Sequence, residues 1–168
     1  IGLVIQNERA LTVAINKCDQ LNESQMQDLQ RSIDRKLRFV NFIDIHHISA
    51  LNGTNIGATL SSAIKAADVS LKSISTSELS QFIKHLVEIN PPPAIQGRRI
   101  KLKYAHQGGS QPPIFIIYGN QTHKLPKSYE RFLINQIRQN FKFWGTPIRL
   151  EFKNSNNPFS DKKNKLSP

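Results

Sequence analysis

The stretch Arg9 to Asp19, RALTVAINKCD, decides how the first half of this chain folds. Ala10 to Ile15 is an apolar run rich in β-branched residues and short enough for a buried strand. It runs straight into Asn16-Lys17-Cys18-Asp19. Open α/β sheets bind ligands at the carboxyl ends of their strands, so this polar cluster is a candidate site.

A second apolar run, Phe42 to Ile48, ends in Ser49-Ala50-Leu51, about 30 residues after the first cluster. Asn52-Gly53 and a helix-like stretch to about Ala67 follow it. NKxD is the guanine-reading signature of GTPases, and the residue types explain why. A carboxylate at Asp19 accepts from both the N1–H and the exocyclic amine of guanine, a pair that adenine lacks. Asn16 pins the far side of the base and the adjoining loops, and the Lys17 stem lies flat over the purine. Four letters are unspecific alone. The Ser49-Ala50-Leu51 turn matches the fifth G-box, whose Ala backbone N–H contacts guanine O6, and the two elements stand in the right order.

Around this pair, Ile1 to Ile5 reads as the end of a helix cut midway. No GxxxxGK[ST] loop and no DxxG segment occurs, and Gly2, Gly53 and Gly57 form no substitute. Those motifs hold phosphates and magnesium, so no GTP hydrolysis is expected of these residues alone. Ser24 to Phe39 reads as a helix capped by Ser24, with Met26, Leu29, Ile33 and Leu37 on one face. Thr59 to Ala67 reads as a second helix with Leu60, Ala63, Ile64 and Ala67 inward. Asp68 to Ser75 reads as a linker, with Ile74 buried.

At 168 residues the chain suits one or two small domains. It has no apolar run of 18 residues and no signal-peptide pattern. The single Cys18 excludes an internal disulfide and fits a reducing cytosol. The net charge of +11 is unevenly spread. Residues 1–94 carry nine basic and nine acidic side chains, so the whole excess lies in residues 95–168. Such asymmetry points to a polyanion partner, most simply nucleic acid. The histidines suggest no metal site.

The second half has its own pattern. Ser75-x-x-Glu78 is a capping box, opening a helix with Leu79, Phe82, Ile83, Leu86 and Val87 on one stripe. Pro91-Pro92-Pro93 ends it. From Arg98 to Tyr104 the period is two, with Ile100, Leu102 and Tyr104 inward and Arg99, Lys101 and Lys103 outward. Ile114 to Tyr118 reads as a more completely buried strand. Lys127 to about Trp144 is the strongest helix, with Lys127, Arg131, Arg138 and Lys142 on a narrow basic stripe. Ile148, Leu150 and Phe152 alternate through a last strand. The polar tail is expected to be disordered after about Phe159.

The order helix–strand–strand–helix–strand resembles a KH-like domain. The words GRRIKLKYAHQGGSQPP, GNQ, LPKSYERFL and GTPIRLEF closely resemble the C-terminal domain of the Der (EngA) GTPases. RALTVAINKCD and SALNGTNIG are similar to the end of that family's second G domain. The resemblance covers nearly the whole chain. It implies an α/β part, the guanine-recognition half of a P-loop GTPase-type, Rossmann-like domain (1–72), then an α+β KH-like domain, αββαβ (73–157), and a basic tail (158–168). It further implies a cytoplasmic GTP-hydrolysing protein with tandem G domains that assists large-subunit assembly on the ribosome. GTP or GDP would touch Asn16, Lys17, Cys18, Asp19, Ser49, Ala50 and Leu51, with Mg2+ held by motifs outside these residues. The expected partners are rRNA, the large subunit and G domains of the same protein, with no membrane. A homodimer through an exposed sheet edge at Ala10 to Ile15 is a further expectation, because the strand's inner partner lies outside the chain.

Two departures stand out. Cys18 occupies a position where the family usually has Trp. Ordinary KH domains clamp phosphates with a GxxG loop, and none occurs here, because Gly108-Gly109 is placed between strands. RNA contact is therefore expected from the basic face at Arg98, Arg99, Lys101, Lys103, Arg131 and Arg138. A stand-alone RNA-binding or protein-interaction module with no nucleotide role is the competing reading.

Overall fold

The computed structural model describes residues 1–95 and 97–154. The tail expected at 158–168 lies outside the described residues, as does the side chain of Arg98. The front half runs α1 (Gly2–Gln6), β1 (Val13–Ile15), α2 (Glu23–Lys36), β2 (Ile45–His47) and α3 (Ile56–Leu71). β1 and β2 pair in parallel, with Ala14 opposite His46, and α2 connects them. Parallel neighbours need such a crossover. The α2 cap is Asn22, two residues before the expected Ser24. Its Oδ1 accepts from Gln25 N at 2.9 Å, and Gln25 Oε1 accepts from Asn22 N at 3.0 Å. Glu23 and Ser24 are thus already helical.

Both strands are shorter than their apolar runs because the ends of those runs face the second half. Leu11 N–H donates to Gly145 O at 2.8 Å, and Gly145 N–H donates to Phe42 O at 2.7 Å.

The second helix differs from its sequence pattern in length and in facing. It continues through residues 68–71, which read as linker, and its buried residues are Ser62, Ala66 and Ser70. Leu60 is 60% exposed and Ile64 63%, so the larger apolar side chains point outward with Ala63 and Ala67. The inner face is close-packed: a Cβ built on Gly145 would overlap that of Ala66. Only small residues permit this approach, and a search for large apolar residues selects the wrong face. Ile74 is buried as expected.

The second half contains α4 (Thr76–Ile89), β3 (Ala94–Ile95), β4 (Arg98–Arg99), β5 (Lys101–Gly109), β6 (Ile114–Asn120), α5 (Lys127–Phe141) and β7 (Arg149–Asn154). The expected helix–strand–strand–helix–strand order is present, with the small β3–β4 ladder added after α4. β5 and β6 are antiparallel, β6 and β7 parallel, in the order β5–β6–β7. One sheet face supplies Leu102, Ala105, Phe115, Ile117 and Leu150 to a core shared with Leu79, Ile83, Leu133 and Ile137 of α4 and α5. Ser75 caps α4, its Oγ accepting from Glu78 N at 3.2 Å.

Two inward expectations fail on this sheet. A register shift between Leu102 and Tyr104 inserts Lys103 as an extra residue, and a bulge of that kind reverses the side-chain alternation beyond it. Ala105 is buried instead and Tyr104 is 44% exposed. β6 alternates rather than being wholly buried: Phe115 and Ile117 face the core, while Ile114, Ile116 and Tyr118 are half-buried on the other face. Gly108-Gly109 lies within the end of β5 rather than in the loop.

Arg138 corrects the basic stripe. It is 5% exposed. Its Nη1 donates to Thr146 O at 2.7 Å and also to Phe143 O, and the Phe42 ring lies 4.1 Å from its guanidinium carbon. The chain after α5 folds back over Arg138 and the front half covers it, so Arg138 drops out of the stripe while Lys127, Arg131 and Lys142 stay exposed. Lys72 Nζ donates to Phe141 O at 2.9 Å, and Arg149 pairs with Glu8. Both halves are joined by these contacts.

Candidate functional site

The two polar clusters of the front half lie together. Ile48 N–H donates to Ile15 O at 2.8 Å, and Cys18 N–H donates to Ile48 O at 3.1 Å. The ladder thereby extends past both strands and brings the residue 16–19 turn against the residue 49–51 turn. Asn16 closes the junction. Its Oδ1 accepts from Lys17 N at 2.8 Å and from Ala50 N at 3.0 Å. With two N–H groups on the oxygen, the amide orientation is set and Nδ2 remains to donate to a ligand.

Lys17 has φ 68°, a left-handed conformation that non-glycine residues adopt at a cost. The Asn16 bond to its own N–H stabilises that turn. Its consequence is a short 3-10 helix, Cys18–Gln20, on which Asp19 is exposed. Cys18 Sγ donates back to Ile15 O at 3.2 Å, which directs the side chain toward the strand.

The second turn is braced as well. Ser49 N donates to Thr54 O at 3.2 Å and Thr54 N to Ser49 O at 3.0 Å, while Asn52 N donates to Ser49 Oγ at 3.2 Å. Asn55 Nδ2 donates to His47 O at 2.8 Å. Asn55 was missed from the sequence, where an asparagine after a glycine-containing turn reads simply as turn composition. Ser49 is buried, while Ala50 and Leu51 are exposed. Asn16, Lys17 and Asp19 are all exposed beside the joined turns, leaving Asn16 Nδ2, the Lys17 stem and the Asp19 carboxylate open to solvent. This donor and acceptor set fits a purine with a donor edge, although the Ala50 N–H is engaged by Asn16 rather than turned outward.

The chain is similar in sequence to known proteins. Residues 73–153 match the KH-domain-like family of EngA bacterial GTPases, described as their C-terminal part. The whole chain is 47% identical over 168 residues to GTPase Der of Hahella chejuensis, covering 36% of that protein. It is 46% identical over 162 residues to GTPase Der of Psychrobacter arcticus, 96% of this chain and 34% of the relative. Thioalkalivibrio sulfidiphilus GTPase Der gives 45% identity over 168 residues. The chain belongs to the Der (EngA) family. It spans about a third of the length of the curated relatives it matches.

In this Der-family chain, Arg99, Lys101, Lys103 and Arg131 are exposed, and Arg138 is not. Arg131 lies on α5, Lys101 and Lys103 on β5, and Arg99 on the β4 strand before it. Among the described residues no group of three His, Cys, Asp or Glu could hold a metal ion, and no helix is long and apolar enough to cross a membrane.

Proposed function

We propose that this chain forms the guanine-reading and docking portion of a GTP-binding, GTP-hydrolysing factor in large ribosomal subunit assembly. Residues 1–72 act as the C-terminal part of a P-loop-type G domain. Residues 73–157 act as a KH-like module that docks on rRNA or on G domains, in the cytoplasm. The observation that carries this reading is the Asn16 bridge to Ala50, which couples two turns 34 residues apart. Asp19 supplies the guanine-selecting carboxylate, Asn16 Nδ2 meets the far edge, and Lys17 covers the ring. Phosphate and Mg2+ contacts belong to motifs that these residues do not contain, so GDP binding by the chain alone is weak.

The test is base selectivity. By NMR titration, guanosine should shift the amides of Lys17, Asp19 and Ala50, and adenosine should leave them in place. Asp19→Asn exchanges an acceptor pair for one acceptor and one donor group. It should weaken guanosine by about 10- to 100-fold, the loss of charge-assisted hydrogen bonds, and favour xanthosine, whose C2 carbonyl accepts. Equal shifts with adenosine would reject guanine reading. The second reading, an RNA-binding module with no nucleotide role, is favoured by the confinement of the +11 excess to residues 95–168. It predicts steeply salt-dependent RNA binding that guanosine does not alter.

A further inference from the structure

The sheet of the second half has one face covered by α4 and α5 and another that carries aromatic side chains. On that outer face Tyr104 pairs with Tyr118, and Tyr118 with Lys153. The next row is His106, Ile116 and Glu151, and Lys101 lies opposite Asn120 at the near end. The rings of Tyr104, Tyr118 and His106 lie 5.7 Å apart in all three pairings, with His106 and Tyr118 stacked at 22°. The bulge at Lys103 is what turns Tyr104 outward.

We propose that this face, centred on Tyr104 and Tyr118, is a stacking platform for unpaired bases of single-stranded RNA. The proposal deepens the RNA-docking reading above and rests on it. Tyr104 is exposed and Tyr118 and His106 are half-buried on the face away from the core, and a contiguous aromatic surface offers each base a π-face irrespective of sequence. Lys101 and Lys153 are exposed at the border of the platform, and Glu151 is its one acidic side chain in the paired rows. The lobe that carries it holds the whole positive excess of the chain. Charge complementarity therefore favours a polyanion over a second copy of this basic lobe. Stacking also supplies an attachment that needs no GxxG clamp.

Fluorescence anisotropy of a fluorescein-labelled uridine dodecamer with the 168-residue chain tests this. Tyr104→Ala and Tyr118→Ala should each weaken binding by about 5- to 100-fold without changing the slope of log affinity against log salt. Tyr104→Phe should bind as the unsubstituted chain does. Lys153→Ala should lower the slope by about 0.7, and annealing the dodecamer to its adenine complement should weaken binding. Circular dichroism melts establish that each variant is folded. RNA binding by the parent chain with unchanged affinity in both folded Tyr→Ala variants would overturn the platform while keeping the RNA reading. No binding by the parent even at low salt would reject both. Sedimentation showing that Tyr104→Ala abolishes self-association while RNA affinity is unchanged would assign the face to a protein contact and overturn the proposal.

Discussion

Arg138 and Asn16 are single residues that each join distant parts of the chain. Arg138→Ala removes a buried donor and leaves the Phe143 and Thr146 carbonyls unpaired. That costs about 2–3 kcal/mol, or a Tm about 5–10 °C lower in a chain of this size. Arg131→Ala, on the exposed part of the same helix, should change Tm by about 2 °C or less, for a stability change of at most about 0.5 kcal/mol. Calorimetry on both separates the two roles. Tyr129 gives a pH dependence. Its hydroxyl donates to Asn90 O at 2.6 Å, and burial pushes its pKa from 10.0 up to about 12. The neutral phenol is the favoured folded form, so its contribution is complete below pH 10 and lost as pH rises through about 12. Burial lowers Arg138 to about 10, and the sign reverses: the cost of burying the charged guanidinium is present below that pH and eases above it. Denaturant unfolding should therefore show a steeper loss of stability above pH 10 in the parent chain than in Tyr129→Phe. The turns at Asn16 to Asp19 and Ser49 to Leu51 were legible as polar turns after apolar runs, and the structure brings the two together; their base-reading role is the proposal made above. The burial of Arg138 was not legible, since at 100° per residue it falls in line with Arg131, and nothing on the helix reports that another segment lies over its end.

At the scale of elements, helix periodicity located α2, α4 and α5, while packing partners decided what it could not. α3 shows this most clearly. Its buried face is Ser62, Ala66 and Ser70, because the neighbouring segment is the backbone at Gly145. Gly145 also has φ +76°, where a side chain is strained. Gly145→Ala combines that strain, about 1 kcal/mol, with an overlap on Ala66 costing about 1–3 kcal/mol. Expected is a loss of about 2–4 kcal/mol in chemical denaturation, partly restored by the double substitution with Ala66→Gly. No restoration would mean that the helix does not bear on Gly145. β5 teaches the complementary lesson: alternation identified the strand, but one inserted residue reversed the facing from Tyr104 to Gln107, where a second register shift follows. A bulge leaves no mark in a hydrophobic pattern and appears only when the partner strand is present.

Over the whole molecule, charge and hydropathy were readable as sums, and the arrangement of the two halves was not. The basic excess could be assigned to one half by counting. The outward apolar line of Leu60, Ile64 and Leu71 could be found only after α3 had a facing. Replacing Leu60 and Ile64 by Ser should leave the melting profile within about 1 kcal/mol of the parent, since neither side chain is buried. Light scattering should show less self-association at high concentration if this line is the adhesive surface. The seam at Gly145 bears on cooperativity. One residue of the C-terminal lobe accepts from Leu11 and donates to Phe42, the segments that precede β1 and β2. Heat that loosens β1 and β2 therefore also disturbs the basic lobe. The two lobes should share a single calorimetric endotherm, and severing that crosslink should split it in two.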